Sequence, residues 1–101
     1  MRVISQSRLR RYQERFPDAE RQLSAWLREV RGARWESPQD VKETYKTASF
    51  VANNRIIFNI KGNRYRLIVA VAYKVSAVYI KFFGTHQMYD EVDAAIVEDE
   101  L

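Results

Sequence analysis

The hydrophobic residues of this chain change their spacing near residue 49, which separates a helical pattern from a strand pattern. Before that point, Leu9, Tyr12 and Phe16 recur every three or four residues, the spacing of one helix face. A second set with the same spacing predicts a second helix, which Gly32 is expected to end. That set is Leu23, Trp26, Leu27 and Val30. The first third of the chain therefore predicts two adjacent helices with arginine-rich outer surfaces.

Polar residues and prolines mark the expected helix starts. Ser5 is expected to cap the first helix through its hydroxyl group, and Pro17 suits the first turn of the second helix. Ser37 followed by Pro38 predicts a third, short helix on the same grounds.

From residue 49 onward the pattern alternates with a period of two, in segments rich in Ile, Val, Tyr and Phe. Residues 55–61, 64–73 and 77–83 are predicted to be antiparallel strands, and residues 1–4 are a candidate edge strand. A two-residue loop at residues 62–63 and a second tight loop at residues 75–76 would set the register. The resulting pairs are Asn59–Arg66, Phe58–Leu67, Ile56–Val69, Val71–Ile80 and Val69–Phe82.

This register predicts one core face and one cationic face. The core face would carry Ile56, Phe58, Ile60, Tyr65, Leu67, Val69, Val71, Ile80 and Phe82. The other face would carry Asn59, Lys61, Arg64, Arg66 and Lys81, with Ile57, Ile68, Tyr79 and Phe83 among them. Lys61 opposite Arg64 would place like charges across a strand pair, which is destabilising unless an anion compensates them. A bound polyanion would do so, and the aromatic rings would add stacking surface for bases. An ordinary solvated sheet face is the alternative.

Composition excludes several classes of protein. The chain has 101 residues, of which 47% are hydrophobic, so we expect one domain over residues 1–101 rather than a disordered chain. It has no cysteine and one histidine, which excludes a disulfide framework, a thiolate nucleophile and a histidine-rich zinc site. No apolar run approaches the roughly 20 residues that span a bilayer, and the arginine-rich N-terminus is unlike a signal peptide. We expect a cytoplasmic protein that needs no metal or other cofactor.

The net charge of +4 is unevenly distributed. Residues 1–90 contain all 17 basic side chains and eight of the 13 acidic ones, whereas residues 91–101 contain five acidic side chains and no basic one. A basic body favours a polyanionic partner, most simply nucleic acid, although a basic soluble surface is the alternative. The acidic tail is expected to be a solvated end. Shielding of the basic face or contact with a basic partner are the other possibilities.

A candidate catalytic group follows the last predicted strand. Thr85 can cap a short helix that would place His86, Tyr89 and Asp90 on one face. RNA can be cut without a metal when a base activates the 2′-hydroxyl, cations stabilise the phosphorane and an acid protonates the leaving 5′-oxygen. His and Tyr can both transfer protons, and the cationic face would supply the electrostatic part. A structural histidine and a packing tyrosine are the alternative interpretation.

Several stretches of the chain together carry a family resemblance. One is NNRIIFNIKGNRYRL at residues 53–67, and another is VYIKFFGTH at residues 78–86, with Tyr89 and Asp90 after it. The others are ARW at residues 33–35, SP at residues 37–38 and VK at residues 41–42. These stretches resemble the HigB family of toxins from bacterial type II toxin–antitoxin modules. The resemblance extends over about residues 1–95, so the acidic end inherits no role from it.

The resemblance implies an α+β, RelE/ParE-like fold, with two N-terminal helices packed on a small antiparallel sheet of three to four strands and a short C-terminal helix. It also implies an mRNA interferase, often acting on translating ribosomes, and a cognate helix-turn-helix antitoxin similar to HigA. Together with the cationic face, it predicts a catalytic group and an RNA-binding group. The catalytic residues would be His86, Tyr89, Arg66 and Lys81. The RNA-binding residues would be Asn59, Lys61, Arg64 and Arg55.

Two other functions would use the same features. A non-catalytic RNA-binding or ribosome-binding module would need the basic face without the proton-transfer groups. A ParE-type toxin of the same fold would act on a protein target such as gyrase, and the similarity to HigB disfavours this.

Overall fold

The computed structural model describes residues 1–99, which form five strands and four α-helices. The strands are β1 (Arg2–Ile4), β2 (Ser49–Val51), β3 (Arg55–Ile60), β4 (Tyr65–Ala72) and β5 (Ala77–Thr85). The helices are α1 (Gln6–Arg15), α2 (Glu20–Gly32), α3 (Pro38–Thr44) and α4 (His86–Asp90). None of these helices has the length and apolarity needed to cross a lipid bilayer.

The strands form one sheet in the order β1-β5-β4-β3-β2, in which β1 runs parallel to β5 and the other neighbours are antiparallel. The α+β prediction, with two N-terminal helices on a mainly antiparallel sheet and a short C-terminal helix, is confirmed. The sheet has more strands than the three to four predicted. The candidate edge strand is present as β1, and β2 pairs with the start of β3.

The predicted helix caps differ in outcome. Ser5 precedes α1, but its φ of 74° is left-handed and its hydroxyl makes no cap bond, so the predicted cap is wrong. Ser37 likewise makes no side-chain cap bond, although Pro38 occupies the first turn of α3 as predicted. Thr85 adopts an extended backbone and accepts a hydrogen bond from the Met88 N–H at 3.1 Å, which confirms its predicted cap.

The core lies between one face of the sheet and helices α1, α2 and α3. Phe58 of β3 is central to it, with ring centroids 5.5 Å from Trp26, 6.2 Å from Trp35 and 4.9 Å from Tyr45. Trp26 lies in α2, Trp35 lies between α2 and α3, and Tyr45 follows α3. The packing of these rings on Phe58 therefore attaches the helices to the sheet.

The hairpin of β3 and β4 has the predicted register, with Asn59 opposite Arg66 and Phe58 opposite Leu67. The connection is longer than the predicted two residues, because the turn covers residues 61–64. Lys61 and Gly62 both adopt positive φ there, at 55° and 64°. Glycine accepts this conformation without steric cost.

The predicted register of β4 and β5 is wrong. Val71 pairs with Val78, where the sequence predicts Ile80, because the connection is a turn at residues 73–76 that ends on left-handed Ser76. A β-bulge then adds a residue to β5: Val69 pairs with Ile80 and Ile68 with Phe82, leaving Lys81 between them.

The bulge reverses the two phenylalanines that follow it. Phe82 joins Ile57 and Ile68 on the face away from the helices, and Phe83 enters the core against Tyr12, opposite to the prediction. We call the face that carries Ile57, Ile68 and Phe82 the second face.

The chain end covers this second face. Residues packed on the cluster of Ile57, Ile68 and Phe82 include Met88, Tyr89, Val92, Ala94 and Val97. We call residues 91–99 the C-terminal segment. The expectation of a solvated end is wrong for this described part, and the alternative of a shield over the basic face matches its position.

Replacing Phe58 by Ala should lower the free energy of unfolding by about 3–5 kcal/mol, since it leaves a cavity among three aromatic rings. The matched control is Phe50→Ala on the edge strand, where the ring is 39% exposed and the loss should stay below about 1 kcal/mol. Urea unfolding followed by circular dichroism measures both. Equal losses at the two positions would contradict a core centred on Phe58.

Candidate nucleic-acid site

Strand pairing arranges the second face into three rows, each with one residue from β3, β4 and β5. The first row is Asn59, Arg66 and Gly84, the second is Ile57, Ile68 and Phe82, and the third is Arg55, Ala70 and Tyr79. Alternate residues of a strand are about 7 Å apart, so the first and third rows are separated by about 13 Å. Two rows with cations therefore flank a central apolar row.

Arg66 in the first row is adjacent to the candidate catalytic helix. Its guanidinium donates to the carbonyls of Asn63 and Tyr65 at 3.1 and 3.2 Å. The guanidinium carbon lies 5.9 Å from the ring centroid of Tyr89, whose ring is 6.3 Å from that of His86. Tyr89 is thus the neighbour of both Arg66 and His86. Among the described residues Arg66 forms no ion pair, so its charge faces neutral partners.

Helix α4 fixes the position of His86. The Thr85 cap starts the helix, and the backbone N–H of His86 donates to the Arg64 carbonyl at 3.1 Å, which ties α4 to the β3–β4 hairpin. One turn later, an Asp90 carboxylate oxygen lies 3.2 Å from His86 Nδ1. A carboxylate at Nδ1 favours the tautomer in which Nδ1 carries the proton, and Nε2 is then the basic nitrogen. The imidazole is half exposed, so Nε2 is accessible to a bound chain.

Lys61 and Arg64 at the hairpin turn contact an acid from the helical layer. Asp18 lies 3.5 Å from Lys61 Nζ and 3.0 Å from an Arg64 nitrogen, and it accepts a 2.5 Å hydrogen bond from the Tyr65 hydroxyl. These contacts, the tyrosine hydrogen bond foremost, lower the pKa of Asp18 from 3.8 to about 2. The two like charges are therefore compensated within the chain by Asp18, so their proximity does not by itself point to a bound polyanion.

Arg55 and Lys81 are brought together at the third row. The bulged Lys81 lies 5.9 Å from the Tyr79 ring centroid, and its Nζ is 2.9 Å from a carboxylate oxygen of Glu98. Arg55, buried under the C-terminal segment, contacts the same oxygen at 2.8 Å. The Lys81 hydrogen bond and the two positive charges lower the pKa of Glu98.

The predicted site residues thus fall into three places. Arg66, His86 and Tyr89 share one end of the second face, with Asn59 half-buried beside Arg66. Arg55 and Lys81 share the other end, and Lys61 and Arg64 turn toward Asp18.

Sequence reasoning missed the two acids that neutralise these cations, Asp18 and Glu98. The concentration of acids after residue 90 was the available signal for Glu98, whereas nothing in the local pattern marks Asp18. In residues 1–99, no cluster of three or more His, Asp or Glu side chains is arranged to hold a metal ion.

Comparison with known proteins identifies relatives of the chain. The family model for HigB toxin, described as the RelE-like toxic component of a toxin-antitoxin system, matches residues 19–92. The mRNA interferase toxin HigB of Escherichia coli K12 is 24% identical over 92 residues, which cover 89% of this chain and 88% of that protein. The mRNA interferase HigB proteins of Escherichia coli O157:H7 and Shigella flexneri match with the same identity and coverage.

The Asp18 cluster predicts a pH dependence of stability. Because the folded pKa of Asp18 is depressed to about 2 from 3.8, its contribution to stability is present above pH 3.8 and is lost as the pH falls toward 2. Asp18→Asn should therefore lower stability at pH 5 and flatten its decline between pH 4 and 2.

Urea midpoints measured across that range test this. Glu14→Gln, which removes an exposed acid on α1, is the control and should keep the wild-type slope. A wild-type slope in Asp18→Asn would rule out the proposed neutralisation.

Proposed function

The chain belongs to the HigB family of RelE-like toxins of toxin–antitoxin systems, and from this we propose that it is an mRNA interferase, an endoribonuclease that arrests growth by cutting messages. The contact of Tyr89 with both Arg66 and His86 carries the proposal. This contact brings the cation of Arg66 and the two proton-transfer groups of His86 and Tyr89 together at one end of the second face. The three relatives, named as mRNA interferases, agree with this activity.

The proposed reaction uses the 2′-hydroxyl of the RNA as nucleophile. Nε2 of His86 takes the hydroxyl proton, the 2′-oxygen bonds to the adjacent phosphorus, and the bond from phosphorus to the 5′-oxygen breaks. Tyr89 donates its proton to that leaving oxygen, which leaves a 2′,3′-cyclic phosphate and a 5′-hydroxyl. Asp90 positions His86 through Nδ1, and Arg66 stabilises the charge that develops on the phosphorane.

The remaining cations are proposed to hold the RNA backbone on either side of the cut. Lys81 and Arg55 would bind a phosphate at the third row, about 13 Å from Arg66, so this proposal makes Lys81 a backbone-binding residue rather than the catalytic residue that the sequence predicts. Lys61 and Arg64 lie at the hairpin turn with exposed side chains, and Asn59 neighbours Arg66 across the strands. Phosphate contacts of this kind position a strand without reading its sequence.

The proposed partners follow from the family. A toxin of a toxin–antitoxin system has a cognate antitoxin, here proposed to be a HigA-like helix-turn-helix protein. The substrate is proposed to be mRNA on translating ribosomes in the cytoplasm. We propose a single toxin domain over residues 1–101 that needs no metal cofactor.

Arg66→Ala should abolish growth arrest, because the variant removes the cation that faces the reacting phosphate. Loss of one such stabilising group costs about 10²–10³ in rate. Induction in cells, with message integrity followed by northern blot, measures the effect. Arg21→Ala on the exposed surface of α2 is the matched control and should remain toxic. Equal arrest by Arg66→Ala and the wild type, or intact messages in the wild type, would refute the proposal.

A double variant separates catalysis from binding. His86→Ala with Tyr89→Phe should reduce RNA cleavage by at least about 10²-fold while RNA affinity changes little, since proton transfer is lost and the cations remain. Purified protein, a labelled transcript and a binding titration give both values. Toxicity that survives the double change indicates a non-catalytic RNA-binding module. Inhibition of gyrase supercoiling without message loss indicates a ParE-type action.

A further inference from the structure

Glu98 holds the place of an anion between two cations of the second face. One of its carboxylate oxygens lies 2.8 Å from an Arg55 nitrogen and 2.9 Å from Lys81 Nζ, and the other lies 3.1 Å from the same Nζ. Arg55 is 7% exposed and Lys81 22% exposed, so both cations are held in place by their surroundings. Two fixed cations converging on one oxyanion form a binding site that a phosphate group also fits.

The rest of the C-terminal segment is attached separately from Glu98. Val92, Ala94 and Val97 pack on the apolar row, and Arg55 donates to the carbonyls of Ala94 and Val97 at 3.2 and 2.6 Å. These contacts hold residues 92–97 without using the carboxylate of Glu98.

The last described residues are attached to the sheet and to α1 through polar contacts. The side chain of Glu98 is 54% exposed. The Asp99 N–H donates to the carbonyl of the bulged Lys81 at 2.9 Å, and the Asp99 carboxylate accepts from the Tyr12 hydroxyl at 2.8 Å. Since residues 92–97 have contacts of their own with the apolar row and Arg55, residues 98–99 can leave the face without them. Their departure would free the outer nitrogens of Arg55 and Lys81.

We propose that Glu98 is an intramolecular phosphate mimic, which occupies a phosphodiester site made by Arg55 and Lys81 and must leave before RNA can bind across the second face. The proposal rests on the proposed ribonuclease function and adds a regulated second subsite to it. The family match ends at residue 92, so Glu98 lies outside the part of the chain that the family model describes. We call this displaceable Glu98 carboxylate the gate.

Such a gate sets a threshold for RNA binding, because a strand binds only if its other contacts with the protein are strong enough to displace Glu98. A tethered carboxylate competes with free phosphates at a high effective concentration, so a strand that touches only the third row gains little. A strand that also contacts Arg66, about 13 Å away along the sheet, has additional contacts with which to displace Glu98. Short or poorly placed strands are excluded while extended ones enter.

Glu98→Gln tests the gate, because it removes the charge and keeps the shape of the side chain. The probe is a short, fluorescein-labelled 2′-O-methyl oligoribonucleotide, which lacks the nucleophilic hydroxyl, and binding is followed by anisotropy. We expect roughly fivefold to tenfold tighter binding, the combined worth of two partly exposed ion pairs. A second variant, Glu98→Ala, should give at least the same gain.

The matched control is Glu91→Gln, which makes the same charge change in the same segment. Glu91 is exposed and, within residues 1–99, forms no ion pair. Its variant should bind within about twofold of the wild type. Equal gains for Glu91→Gln and Glu98→Gln would mean that net charge alone acts, and would overturn the proposal. Wild-type affinity in both Glu98 variants would do the same.

Amide hydrogen exchange in the wild-type protein tests displacement without any substitution. Addition of the probe should speed exchange of the Asp99 amide by at least about tenfold, while amides of Ile57 and Ile68 keep their protection. An Asp99 amide that stays equally protected in the bound state overturns the gate. If the protein cuts RNA but shows neither the affinity gain of the Glu98 variants nor the faster exchange of the Asp99 amide, this proposal alone is overturned. Failure of every form to bind the probe or cut RNA overturns the proposed function as well.

Discussion

The extra residue in β5 is the constraint on which the rest of the second face depends. Without the bulge at Lys81, the register of Val71–Val78 and Val69–Ile80 would continue and place Lys81 rather than Phe82 beside Ile68, so the face would lose its central apolar row. With the bulge, Phe83 enters the core, and Phe82 lies on the second face, where the C-terminal segment packs against it. The same bulge frees the Lys81 carbonyl for the Asp99 N–H and directs the Lys81 ammonium toward Glu98. One inserted residue thus creates both the surface that the chain end covers and the hydrogen bond that holds its last described residue.

Two acids compensate part of the positive charge of the second face and the hairpin turn. Asp18 forms ion pairs with two cations at the hairpin turn, and Glu98 forms ion pairs with two cations at the third row. Both acids come from outside the strands that they neutralise, one from the turn before α2 and one from the chain end. Exposed ion pairs contribute little each, so these acids chiefly relieve repulsion between neighbouring cations. Arg66 differs from the other cations on this face because its described partners are carbonyl groups and an aromatic ring.

The sequence predicted what depends on short-range pattern and failed where distant parts of the chain decide. The β3–β4 register follows from alternation and Gly62, and the α4 cap follows from Thr85 alone. Phe82 and Phe83 are both apolar, so the hydrophobic pattern fits equally well whichever of them faces the core. The bulge therefore cannot be recognised from the sequence. Val92, Ala94 and Val97 are spaced irregularly among acids, which makes a packed segment look solvated. The neighbourhood of Arg66, His86 and Tyr89 was accessible from spacing and from the family resemblance. The acids opposite the other cations were hidden because they lie far away in sequence.

The parallel pairing of β1 with β5 has a consequence for how this protein is made. Residues 2–4 are synthesised 75 residues before their partners at residues 77–79, and Tyr12 is synthesised 87 residues before Asp99. Contacts between such distant parts of a chain slow folding, because a large loop must close before they form. The sheet edge and the covering of the second face can therefore be completed only after residues 77–99 have been translated. For a toxin, this delays the appearance of a finished active surface until those residues have been made.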